Sequence, residues 1–161
     1  MPSNLQKSLI HENLLNDFQQ RFEVLFKDPE FDFKADRYLM TQIVASLTYE
    51  HFEMGENMLP LNEITEQIFF VHDAEVTVAY KTWPHQLLLF EQGSYFGDTS
   101  YLFKIINHYR YTLQSHPESS RIYSLHAKYL ESILEDFDDF ASVLKIRALR
   151  RHRYLRKLKN Q

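Results

Sequence analysis

Cysteine is absent from all 161 residues, which excludes a disulfide framework and any thiolate metal site and fits a reducing, cytoplasmic compartment. Glycine is nearly as scarce, with three in the whole chain, so each marks a place where the backbone itself must turn tightly or come close to something. No apolar run approaches the ~20 residues a helix needs to cross a bilayer, and the N-terminus MPSNLQKSL has no signal-peptide apolar stretch. The eight histidines are scattered, with no H-x-H or H-x-x-x-H cluster beside a carboxylate, so no metal site is expected. G-x-S-x-G, Walker and G-x-G-x-x-G motifs are missing too. The chain is read as non-enzymatic.

What is present is apolar and aromatic: 44% hydrophobic and 15% aromatic residues, enough for one well-filled core with helical extensions. Charge is unevenly placed. Of the 18 Lys and Arg, eight fall between Lys145 and Gln161 with no acid among them, leaving 10 basic against 22 acidic residues elsewhere, a net of −12. A basic tail on an acidic body has three readings: a solvated helix face, a lid over an anionic ligand, or a patch for nucleic acid or acidic lipid.

Apolar residues Leu5, Leu9, Leu14, Phe18, Phe22 and Leu25 or Phe26 recur every three or four positions, the pattern of a one-faced helix, with Ser3 as its cap. Asp28-Pro29-Glu30 breaks it. A second helix is expected from about Asp36, with Leu39, Met40, Ile43, Val44 and Leu47 on one side. After Ser46 short strands follow: Tyr49 to Phe52, Gln67 to Val71, Val76 to Tyr80, Leu87 to Phe90, Tyr109 to Leu113 and Arg121 to Leu125. Their close spacing indicates an antiparallel sandwich or barrel. A short helix is expected over Ser100 to Ile106. From Leu130 onward, near-helical spacing through Leu144, Ala148, Leu155 and Leu158 predicts two more helices joined near Glu135 to Asp139, the last from about Ala141 with its arginines largely wet.

Two of the three glycines lie in one stretch, Gly93-Ser94-Tyr95-Phe96-Gly97-Asp98-Thr99, and Arg110 follows twelve residues after Asp98. This set resembles the phosphate-binding cassette of cyclic nucleotide-binding domains. The likeness extends through Tyr49 to Ala79 and through Arg121-Ile122-Tyr123-Ser124-Leu125, which is similar to the strand after the cassette in cation channels, while Met1-Pro2-Ser3-Asn4-Leu5 is similar to the Leu-Pro-x-x-Leu that leads into the domain there. The resemblance implies an α+β, jelly-roll antiparallel β-barrel: a helical segment over 1–48, the barrel with its cassette over 49–125, and lid helices over 126–161. It further implies the cytoplasmic regulatory domain of a potassium or cyclic nucleotide-modulated channel. Its partners would be the transmembrane part of the channel and neighbouring subunits, and no nucleic acid.

By the same resemblance the ligand is cyclic AMP or cyclic GMP, with no other cofactor and no metal. Phe96, Gly97, Asp98 and Thr99 form the cassette, Arg110 holds the phosphate, Tyr111 stands beside it, and Arg151 and Leu155 belong to the lid. The chemistry suits these types: a cyclic phosphate takes free N–H groups at a helix start and a guanidinium. Two functions remain open. The domain binds a cyclic nucleotide weakly and couples it to gating, which Gly97, Asp98 and Arg110 favour; or it has lost binding and serves as an interaction and assembly module, which Tyr111 and the long segment between Asp98 and Arg110 favour. In the ligand-free case Arg110 is expected to pair with Asp98 or another acid.

Overall fold

The computed structural model describes residues 13–161; Ser3, Leu5, Leu9 and the Met1 to Leu5 motif lie outside the described residues. At its centre is β4 (Gln67–Asp73), whose run Ile68-Phe69-Phe70-Val71 is buried throughout. A strand covered on both faces loses the usual apolar and polar alternation. Ile68 and Phe70 enter a core shared with helices, whereas Phe69 and Val71 enter a second core between sheets.

The helical layer begins with α1 (13–21) and α2 (Glu23–Phe26), separated by a break at Phe22. Phe18 and Phe22 meet Phe70 edge-on, with ring centroids 5.3 and 5.4 Å away. A two-stranded ribbon of β1 (Lys27–Asp28) and β2 (Phe33–Lys34) flanks a 3-10 turn started by Pro29, and α3 (Arg37–Ala45) follows, capped by Asp36, whose carboxylate accepts the Leu39 N–H at 2.8 Å. Leu47, read from its spacing as helical, instead opens β3 (Leu47–Glu50).

The expected barrel is two separate antiparallel sheets. One has the order β3-β9-β4-β7, with β7 at Ser94–Phe96 and β9 at Arg121–His126. The other has the order β6-β5-β8, with β5 at Val76–Tyr80, β6 at Leu88–Phe90 and β8 at Tyr109–Leu113. Val76, Val78, Tyr111 and Leu113 of the second sheet pack against Phe69, Val71 and Ile122 of the first.

Between β7 and β8 lies α4 (Asp98–Phe103), and the chain ends in α5 (Ala127–Asp136) and α6 (Asp138–Lys159). α6 starts three residues before the expected Ala141. It is joined to α5 through Phe137 alone, with Asp138 and Asp139 in its first turn, where carboxylates favour the helix dipole. Leu144, Ala148 and Leu155 are buried. Of its arginines, Arg150, Arg153 and Arg156 are exposed as expected, Arg150 making a two-pronged contact with Glu30 at 2.9 and 2.8 Å, whereas Arg147 and Arg151 are largely covered, Arg147 by its pair with Asp28 at 2.7 Å. These pairs fix α6 to the turn at Pro29.

Candidate functional site

The site is built where β7 hands the chain to α4. Gly97 makes that turn with φ at +91°, and a Cβ there would lie 2.7 Å from the Gln67 carbonyl oxygen of β4. Both the left-handed backbone and the close approach therefore require glycine. Gly93 is constrained in the same way: its φ is +88°, and a Cβ on it would lie 2.7 Å from the Arg21 carbonyl oxygen.

The turn places Asp98 at the first position of α4 with 1% of its surface exposed. α6 crosses here. Arg151 donates from Nη2 to Asp98 Oδ1 and from Nη1 to the Tyr95 carbonyl, with its guanidinium 4.5 Å from the Tyr95 ring centre and 5.8 Å from that of Phe90. Thr99 Oγ1 donates to the Ala148 carbonyl of α6 at 3.2 Å.

Burial pushes the Asp98 carboxyl above its ordinary value, against the pull of Arg151 and of the N–H groups of Asp98 and Thr99 at the helix start. Asp98 Oδ2 is buried without a hydrogen-bond partner among the described residues. Burial opposes the charge on Arg151, but Asp98, Tyr95 and Tyr111 more than offset it, so its pKa is raised. Burial also pushes the Tyr95 hydroxyl up to about 12. The arrangement is an anion corner already filled: a carboxylate sits at the start of α4 and a guanidinium of the same chain lies on it.

Aromatic rings fill the space beside this pair. Tyr111 stacks on Phe96 at 4.4 Å and 6°, and Phe96 stacks on Phe69 at 5.2 Å and 16°. The cavity left among Gly97, Asp98, Tyr111, Arg151 and Leu155 measures about 30 Å³. That is room for a water or two, whereas small-molecule pockets run from ~300 Å³ upward.

Seven of the eight residues expected at the site are thus gathered at one place: Gly97, Asp98, Thr99, Tyr111, Arg151 and Leu155 line the cavity, and Phe96 stacks on Tyr111 behind it. Arg110 is not among them. In β8 the side chains of Tyr109, Tyr111 and Leu113 point inward, so Arg110 and Thr112 face out. Arg110 donates from Nε to the Lys81 carbonyl and from Nη2 to the Trp83 carbonyl, tying down the turn after β5. The pairing of Arg110 with Asp98 or another acid, expected for the ligand-free case, is therefore wrong in partner: Arg151 takes Asp98, and Arg110 takes the Lys81 and Trp83 carbonyls.

Sequence reasoning missed Asn107. Its Nδ2 donates to the carbonyls of Tyr109 at 2.7 Å and Pro60 at 3.1 Å, while Oδ1 accepts the Tyr109 N–H at 3.0 Å. Together with the bonds Asn62 N–H to Asn107 O and Thr65 N–H to Ser100 Oγ, it stitches the loop over 57–66 to α4 and to the segment between α4 and β8. The signal was an asparagine alone in the apolar stretch Ile105-Ile106-Asn107-His108-Tyr109, where a buried amide must find partners.

No protein-family model matches the chain, and no curated protein matches it. Solved structures do. The chain is similar to cAMP-bound PfPKA-R, with TM-score 0.70 and 15% identity over 93% of this chain and 46% of that one. It is similar to the regulatory domain of Toxoplasma gondii PKA with cAMP, with TM-score 0.70 and 13% identity over 92% and 52%. It is similar also to the Thermus thermophilus catabolite activator protein, with TM-score 0.63 and 15% identity over 81% and 58%. The chain spans about half the length of these structures. At such identities the shared property is the fold: helices packed on antiparallel sheets, as in cyclic nucleotide-binding domains.

Proposed function

We propose that this chain is a regulatory module of the cyclic nucleotide-binding fold, from the cytoplasmic part of a cation channel, in which the last helix occupies the anion corner in place of a nucleotide. The channel assignment rests on the sequence resemblance around Arg121 to Leu125 and at Met1 to Leu5. The observation that carries the closed-site reading is the buried Asp98 and Arg151 pair. A phosphate entering this corner meets a cation that is already neutralised, a carboxylate that repels it, and a tyrosine ring in the remaining space. The module then works through whether α6 is seated, transmitting that state to the transmembrane part of the channel and to neighbouring subunits. A bound ligand moves such an equilibrium only by its differential affinity for the two arrangements.

A second reading is favoured by Gly97, whose backbone opens α4 at the cavity wall, and by the cAMP named in two structures of the same fold. In it, cyclic AMP or cyclic GMP binds weakly after α6 lifts, replacing the Asp98 and Arg151 contact. Calorimetric titration of the wild-type chain with each nucleotide to millimolar concentration separates the two. The closed-site reading expects no saturable heat and no rise in Tm. Saturable binding with a Tm that climbs with ligand concentration, as mass action requires, establishes the second reading instead.

A further inference from the structure

A groove of about 540 Å³ opens on the other side of Leu59 from the filled site. Its floor is apolar, made by Phe52, Met58, Leu59 and Phe69, with Ile64 standing 45% exposed at the edge. Around it stand Glu50, Glu63 and Glu66, and among the described residues no Lys or Arg lines it. Gln67 Oε1, also on the wall, is buried with no hydrogen-bond partner among the described residues. Every polar side chain named here offers an acceptor, and among the described residues the carboxylates have little to neutralise them: Glu50 accepts only from Ser124 Oγ, and Glu66 has only His126 Nε2 at 4.0 Å. Unlike Asp36, Asp138 and Asp139, whose places at helix starts explain them, Glu63 and Glu66 belong to a loop and cap nothing. An apolar floor with an acidic rim and an orphaned buried acceptor selects a partner that brings donors, positive charge and apolar surface together.

The outward side of α6 has that chemistry. Arg147, Arg150 and Arg151 are engaged with Asp28, Glu30 and Asp98. Lys145, Arg153, Arg156 and Lys157 carry no ion pair among the described residues, and all four are exposed. Beside them Leu149 is 39% and Tyr154 50% exposed, a larger apolar content than a purely solvated basic face needs. None of these side chains lines the groove of its own chain.

We propose that the outward face of α6, centred on Arg153, Tyr154 and Lys157, docks into the Glu50, Glu63 and Glu66 groove of a second copy of this chain. The inference uses the groove and the outer face of α6 and stands whether or not the filled site ever admits a nucleotide. The contact joins two different patches, so it is head-to-tail, and successive copies close into a ring or continue as an open chain. Apolar contact at Leu149 and Tyr154 supplies area, and the charges supply register and partner choice.

Sedimentation velocity on the whole 161-residue chain tests this. Wild type at about 100 µM and above in roughly 50 mM salt is expected to associate, and to return to monomer in roughly 500 mM salt as the charges are screened. Glu63→Lys/Glu66→Lys and Arg153→Glu/Lys157→Glu alter exposed side chains only, and each protein alone is expected to be monomeric, with the apparent dissociation constant raised at least tenfold. Mixed together, the two variants bring a basic groove to an acidic helix and a native helix to a native groove, so both contacts are complementary and association is expected to return with the two variants alternating. A wild type that stays monomeric at millimolar concentration in low salt overturns the proposal. So does association undiminished in both variants, or a mixture that shows no complex although both members keep the wild-type circular dichroism and Tm.

Discussion

Two arginines, one on strand β8 and one on helix α6, show how the same side chain takes opposite parts in this fold. Arg110 sits between two inward tyrosines, so the two-residue period of the strand turns it outward, where it holds two backbone carbonyls of the turn after β5. Arg151 lies on the face of α6 that also carries Leu144, Ala148 and Leu155, so the helical period turns it inward, onto Asp98. The cation at the anion corner is thus brought by a helix packed across the sheets, not by a strand within one.

The largest effect expected from probing this contrast is at Arg151. Arg151→Ala leaves Asp98 buried with no countercharge, and breaking a buried pair in this way costs about 3–5 kcal/mol. Urea unfolding is expected to show that loss, and Asp98→Asn/Arg151→Met to recover much of it. Equal destabilisation by the single and double variants contradicts a coupled pair.

Next comes the turn that positions Asp98. Gly97→Ala forces a side chain into left-handed backbone and against the Gln67 carbonyl, for a cost of roughly 1–3 kcal/mol. Hydrogen exchange is expected to quicken in α4 and at the adjoining end of β4. Unchanged exchange there, with normal stability, means the backbone relaxes without strain.

Arg110→Ala is expected to do least of the three, under about 1 kcal/mol, because its contacts lie at the surface. A loss as large as that of Arg151→Ala places Arg110 in the structure of the site after all.

The smallest signal is in the dependence on acid. Arg147 beside Asp28 and Arg150 beside Glu30 hold both carboxyls below their ordinary values, and Arg121 and His72 outweigh burial to lower Asp73. Carboxyls lowered by folding contribute stability above the unfolded value of about 3.9 to 4.3, and that stability is lost as pH falls through the folded values. Asp98, raised by burial, has the opposite sign, its contribution falling as pH rises above the unfolded value. Tm is therefore expected to drop below about pH 4, and Asp28→Asn/Asp73→Asn to flatten that drop. An unaltered acid limb in that variant removes these pairs from the account.

Much of this was legible in the chain. Alternation in Val76 to Tyr80 and the run Ile68 to Val71 located strands, the scarcity of glycine singled out Gly93 and Gly97, and the spacing from Leu144 to Leu155 found the buried face of α6. The fold of the solved structures agrees with the mixed helical and antiparallel architecture read from these patterns. Other features were not legible. The sheets' failure to close depends on which strands find edges to pair with, and Asn107 makes contacts with residues more than forty positions away in sequence. A list of residues does not contain such distances.

Local pattern alone was enough to mark a tight glycine turn at Gly97 and a short helix soon after it, because periodicity and backbone permissiveness are local properties of the chain; the helix starts two residues earlier than expected, at Asp98. Only the tertiary structure decided which arginine reaches that carboxylate. Arg110 is twelve residues from Asp98 and Arg151 fifty-three, yet strand parity turns the nearer one away and helix packing brings the farther one in. Orientation across a packed interface is set by the relative placement of α6 and β8, which neither segment encodes alone.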